Sequence, residues 1–210
     1  MHRKWLNIGV ALLIAGLSGC ASMNADECAA SDWSAIGFED GSRGYTTDRF
    51  ANHRKACAKH GITADFQAYQ DGRDSGLESF CQPGRGFSYG ANGGQYTGVC
   101  AADLEPGFLD AYHTGRKLYT LRSNVSAANS QLYAAENALE GTENRIVAVE
   151  LALINSETTT DERIAYLAEL KELSERKGKL KSDIKQLVVD RARFEQDLQY
   201  YEQTVADLGY

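Results

Sequence analysis

His53, Cys57 and His60 stand four and three residues apart, a spacing that puts two imidazoles and a thiol on one face of a helix, and Cys28 lies upstream as a fourth donor. Four such ligands can hold zinc tetrahedrally. The same thiols have a competing use. Cys28, Cys57, Cys81 and Cys100 form an even set within a short region, which in an oxidising compartment reads as two disulfides. An oxidised sulfur cannot act as a thiolate ligand, so the choice turns on where the chain resides.

The N-terminus speaks to that. His2, Arg3 and Lys4 precede a run from Leu6 to Leu17 that is apolar except at Asn7, and Leu17-Ser18-Gly19-Cys20 closes it. This is the three-part pattern of an export signal. An apolar run of about a dozen residues falls short of the roughly 20 that span a bilayer. The closing tetrapeptide resembles the lipobox of bacterial lipoproteins. That resemblance implies cleavage of a signal peptide at residues 1–19, a diacylglyceryl group and palmitate on Cys20, and a lipid anchor as the membrane partner. Ala21 and Ser22 follow, and the absence of Asp there resembles sorting to the outer membrane, facing the periplasm. Export favours disulfides over zinc: the expected metal and cofactor content is none. Four cysteines allow three pairings; the shorter loops favour Cys28–Cys57 with Cys81–Cys100.

Residues 84–98 combine six glycines with Phe87, Tyr89 and Tyr96. No Gly-Lys-[Ser/Thr] ending follows, which argues against a phosphate loop. The stretch reads as a disulfide-closed surface loop. Its sharper reading is a glycan platform, with Phe87, Tyr89 and Tyr96 stacking on sugar rings while Asn92 and Gln95 supply hydrogen bonds. No nucleophile elbow is present, and spacing singles out no pair of carboxylates for acid/base work. An enzyme is not expected. Losing Arg3 and Lys4 with the signal moves the formal charge from −7 to −9, which disfavours nucleic acid as a partner.

Composition shifts near residue 105. Residues 20–105 hold twelve glycines and the four paired cysteines; residues 106–210 hold five glycines and no cysteine. The expected fold is mainly α, a small disulfide-stapled glycine-rich helical domain at 20–105 followed by a long antiparallel coiled-coil hairpin at 106–210. A small core needs such staples. Within it, Gly37-Phe38-Glu39-Asp40-Gly41 is echoed by Ala68-Tyr69-Gln70-Asp71-Gly72 and Ala111-Tyr112-His113-Thr114-Gly115. Asp32 and Asp65 suit helix caps and Pro106 a first turn, so three short helices are expected, beginning near Trp33, Phe66 and Phe108. Gly37 and Gly41, like Gly72 and Gly76, share a helix face that admits close packing.

These repeats, the lipobox, the stretch Tyr69 to Cys81, the segment Gly90 to Cys100, and Phe108 to Tyr112 with Gly115-Arg116 together resemble the bacterial lipoproteins grouped as domain of unknown function 2799. The resemblance covers about residues 20–120. It implies an envelope lipoprotein of Gram-negative type and supplies no activity or catalytic residue.

From Leu118 to Leu153 apolar residues recur at alternating steps of three and four, and a second such seam runs from Tyr166 to Leu208. Both are heptad patterns. Ser156 to Thr160 forms the turn, with Thr159 and Glu162 as a capping box. In antiparallel register Lys177 falls opposite Thr142 and Arg191 opposite Ala128, so each cation's stem bends outward over a small residue. Glu140 is expected near Lys179, and Glu143 near Arg176. Arms of this length reach about 70 Å. The expected role is a lipid-anchored, non-enzymatic interaction or spacer protein. Its arm, with Lys177 and Arg191 as candidate contacts, would bind an envelope protein or cell-wall partner. A peptidoglycan- or glycan-binding module is the alternative, and a cell-wall hydrolase stands behind it.

Overall fold

A computed structural model of the chain describes residues 23–210. The export signal and Cys20 lie outside them. The described residues form seven helices and no strand: α1 (Ala25–Ala29), α2 (Trp33–Ser42), α3 (Asp48–Ala58), α4 (Phe66–Phe80), α5 (Pro83–Ala91), α6 (Glu105–Ile154) and α7 (Thr160–Asp207).

α2 and α4 begin at the expected caps. The carboxylates of Asp32 and Asp65 accept from the amides of Ala35 and Ala68 at 3.1 and 3.0 Å, satisfying donors that a helix start leaves open. The two helices then meet backbone to backbone. A Cβ at Gly41 would stand 2.1 Å from the Arg73 carbonyl oxygen, and one at Gly72 only 1.9 Å from that of Ser34. Glycine is required here for want of space. Cys28 in α1 is bonded to Cys57 in α3, and Trp33, Phe50, Ala64 and Tyr69 pack around this disulfide.

α5 and α6 repeat the construction. Cβ atoms at Gly86 and Gly115 would meet the carbonyl oxygens of Phe108 and Phe87 at 2.4 and 2.1 Å, and Cys81 is bonded to Cys100. On the first arm of each pair Cys28 corresponds to Cys81 and Ser34 to Phe87 at one constant offset. On the second arm Cys57 corresponds to Cys100, Ala68-Tyr69 to Ala111-Tyr112, and Gly72-Arg73 to Gly115-Arg116, at another. The second offset is smaller because the first unit inserts α3 between its arms. The chain thus folds as two successive glycine-packed helix pairs, each accompanied by a disulfide between flanking segments. Two of the three sequence echoes are equivalents of each other; the first, at Gly37, is the packing partner of the one in α4, and α5 plays that part for the one in α6.

Two expectations are corrected here. Residues 83–91 are helical where a loop was read, because Gly86 and Gly90 serve packing against α6. The third helix is not short: α6 runs unbroken for 50 residues. Its first turns complete the second pair, around Phe108, Phe80 and Leu77.

Beyond that point α6 lies antiparallel to the 48-residue α7. Arg122 pairs with Glu202 at 2.9 Å and Arg145 with Glu169 at 2.6 Å, so the start of one helix meets the end of the other. Each buried residue from Leu118 onward (Leu118, Ala128, Leu132, Thr142, Val149, Tyr201 and Val205) falls on one of the two predicted seams. At the turn, Thr159 and Glu162 form the capping box, and the Arg163 guanidinium donates to the carbonyls of Leu153 and Asn155. At the other end Leu118, Tyr201 and Val205 pack with Phe87 and Ala91, joining the last turns of α7 to the second helix pair.

Candidate functional sites

The most buried polar cluster surrounds Asp40, a residue that spacing alone did not mark. Asp40 is 4% exposed and sits in the last turns of α2, where Gly37 and Gly41 draw α4 close. Its Oδ2 accepts from the Tyr69 hydroxyl at 2.9 Å and lies 3.2 Å from His53 Nε2. Arg49 Nε stands 3.6 Å from Oδ1. Burial, reinforced by the hydrogen bond to Asp40, pushes the Tyr69 hydroxyl well above the usual phenol range. Nearby, Arg73 donates from Nε and Nη2 to the Tyr45 carbonyl at 3.0 and 2.9 Å, and Arg49 covers the Tyr45 ring at 4.5 Å. The cluster fastens α3 and the segment before it to the α2–α4 pair. The second unit uses backbone instead: Tyr112, the counterpart of Tyr69, donates to the Gly94 carbonyl at 3.0 Å. A sequence signal for Asp40 existed in the acid inside the Gly-Phe-Glu-Asp-Gly motif.

The zinc set is separated by this arrangement. The Cys28 and Cys57 sulfurs are bonded to each other, His53 faces Asp40, and His60 is exposed.

The five residues of the glycine-rich stretch are spread over different surroundings. The Phe87 ring stacks on Tyr210 with centroids 4.6 Å apart. Tyr89 donates to the Gln95 carbonyl at 3.1 Å and its ring meets Phe80 edge-on. Tyr96 packs beside Phe108 at 4.9 Å, donates to Glu105 at 2.8 Å and accepts from the Cys100 amide at 3.0 Å. Burial raises the Tyr96 hydroxyl above its ordinary range. Asn92 donates to the Ser88 carbonyl at 2.8 Å, while the Gln95 side chain is exposed. The three rings are engaged within the fold and do not line up as one exposed platform.

Lys177 and Arg191 lie on the α6-facing side of α7, each with 35% of its side chain exposed. Lys177 Nζ stands 2.9 Å from Glu143 Oε1 and Lys181 Nζ 3.5 Å from it. Glu143 therefore pairs with these lysines in place of Arg176, and the hydrogen bond from Lys177 holds its carboxyl below the usual range. Among the described residues Glu140 and Lys179 form no ion pair. Arg191 is held less well. Its Nε is buried with no hydrogen-bond partner among the described residues and lies 3.6 Å from Glu195 Oε1. Thr142 and Ala128, the small residues expected opposite the two cations, are 5% and 4% exposed.

With both helix pairs described, the comparison with known families has a structural meaning. Residues 32–117 match the family described as protein of unknown function (DUF2799). The DUF2799 segment runs from the cap of α2 to the first turns of α6, and so takes in both glycine-packed pairs and the Cys81–Cys100 disulfide, whereas Cys28 of the first disulfide lies just before it. Helix α7 and most of α6 lie beyond it. No curated protein and no solved structure matches the chain. No described helix is long and apolar enough to cross a membrane.

Proposed function

We propose that this protein is a lipid-anchored envelope lipoprotein of non-enzymatic role, held by Cys20 and sorted to the outer membrane. In this reading the DUF2799 segment is a rigid base and α6 with α7 an antiparallel coiled-coil arm that engages an envelope partner. The observation that carries the reading is the arm: beyond the first turns that complete the second pair, α6 continues for about 55 Å alongside the 48-residue α7, extending from a unit that already has its own core and staples. A small domain has no folding need for such an extension. The polar groups enclosed in the base, Asp40, Tyr69, Tyr96 and Arg73, are committed to partners within the fold. That use suits a support better than a reacting site.

The test has two parts. Radiolabelled palmitate should enter the wild-type protein and not Cys20→Ser; labelled mutant protein would disprove the anchor. Chemical crosslinking in the intact envelope should recover a discrete adduct with the full protein that is lost on deleting residues 121–198. An unchanged adduct would place the partner surface on the base.

A further inference from the structure

The far end of the arm carries apolar side chains left uncovered. Val147, Leu151 and Ile154 succeed one another on α6 at steps of four and three, and Ile164 and Leu167 lie three apart on α7, so each set forms a stripe. They are 54%, 61%, 79%, 62% and 57% exposed. The two stripes share a side. Arg145 and Glu169 bridge one flank of the helix pair. At about 100° per residue, a side chain two positions away points to the opposite flank. Val147 lies two beyond Arg145 and Leu167 two before Glu169.

The border of this patch is acidic. Glu150, Glu157 and Asp161 stand beside it against one cation on the same stripe, Lys171, four beyond Leu167, while Glu162 is held in the Thr159 cap and the Arg163 guanidinium is turned onto the carbonyls of the turn. We propose that the tip is the docking site for an amphipathic helix of a partner protein, with an apolar stripe bordered by Lys or Arg. The proposal rests on the arm being the working part of the molecule. Five side chains of this kind offer on the order of 300–500 Å² of apolar surface. Two copies placed tip to tip would oppose like charges, which is costly. An anionic bilayer is repelled by the same border. A basic helix laid along both stripes matches the patch in size and reverses its charge.

The probe is a fluorescein-labelled peptide of about 18 residues with leucines at helical spacing and lysines on both flanks, compared with a peptide bearing glutamates in place of the lysines. Binding to the purified full-length protein is followed by anisotropy. The lysine peptide should bind at least about tenfold more tightly than the glutamate peptide. Leu151→Ser with Ile164→Ser, which keeps every charge, should remove that binding, and Val147→Ser with Leu167→Ser should do the same if the first pair fails to fold. Equal binding of both peptides, or binding that survives in a folded serine variant, overturns the proposal. So does a sedimenting dimer that the serine variant dissolves, which would assign the patch to a second copy, or vesicle flotation that depends on it, which would assign the patch to lipid. In the envelope, loss of the crosslinked adduct on deletion of residues 121–198 with no loss in the serine variants would reject the tip and keep the arm.

Discussion

Gly37 and Gly90 occupy the same place in the two successive helix pairs: a Cβ on Gly37 would meet the Tyr69 carbonyl oxygen at 2.0 Å, and one on Gly90 the Tyr112 carbonyl oxygen at 2.3 Å. Tyr69 and Tyr112 are themselves counterparts. Neither carbonyl belongs to a flexible side chain, so a methyl group can be admitted only by separating the helices. Gly37→Ala or Gly90→Ala should therefore destabilise the protein by about 2–4 kcal/mol, at or above the usual overpacking cost. Gly141 and Gly178, in open space within α6 and α7, should respond oppositely, with alanine stabilising by about 0.5–1 kcal/mol. Thermal and urea melts of the four variants check the contrast.

Tyr69 predicts an alkaline limit. Its folded-state pKa lies above the unfolded value of 10.0, so the stabilisation is full below pH 10 and falls as pH rises above it, where the unfolded chain ionises first. Tyr69→Phe should flatten that limb. At neutral pH it should cost about 1–3 kcal/mol, since Asp40 would lose a buried donor. Melting temperature against pH for the two proteins provides the measurement.

Acid should act on the arm. The Arg145 hydrogen bond holds Glu169 below the usual carboxylate range, as Lys177 does Glu143. Such groups contribute above the unfolded pKa near 4.5, and the contribution is lost as pH falls through the lower folded values. These pairs are exposed, so the effect should be small and weakened further by salt. Arg145→Gln should remove the part of the acid dependence that comes from Glu169, read from helix content between pH 5 and 2.

The second disulfide closes the shorter span, with Cys81 and Cys100 separated by 19 residues. Replacing both with serine should cost about 3 kcal/mol in the chain-entropy description and loosen α5 from α6, which proteolysis after α5 would reveal. Alkylation of unreduced protein should label none of Cys28, Cys57, Cys81 and Cys100.

Arg191 predicts a gain. Its Nε makes no hydrogen bond among the described residues and reaches Glu195 only at 3.6 Å, so Arg191→Met, which fills the seam with an apolar side chain, should raise the melting temperature. A lowered one would show that its stem packing outweighs the stranded Nε.

Much of the helical layout was legible because its signals are local. Asp32 and Asp65 cap helices wherever those helices pack, Thr159 with Glu162 announces α7, and steps of three and four locate the buried residues of the arm. The cysteine pairing followed from loop length. What escaped was fixed by tertiary context. Gly84, Gly86 and Gly90 weaken an isolated helix, and only the neighbouring backbone of α6 shows why α5 is helical. Asp40 looked like one acid among many until α3 and α4 closed over it. Pro106 suggested a fresh short helix, yet nothing after it ends α6 before Asn155. Seam spacing set which faces meet, whereas the choice of Lys177 and Lys181 over Arg176 for Glu143 depends on side-chain paths that spacing does not encode.

The last turns of α7 return to the base, where Tyr201 donates to the Thr114 carbonyl at 3.0 Å and Tyr210 stacks on Phe87. Both rods are thus clamped at one end and joined by the turn at the other, which makes the pair a cantilever. A sideways load at the turn puts one helix in tension and the other in compression, so it is resisted along the stiff axes of both. The bending moment is greatest at the clamp. Strain would concentrate in the cluster of Leu118, Tyr201 and Val205 beside Phe87, next to the helix pair that Cys81–Cys100 staples, and that joint rather than the slender tip would yield first under pulling.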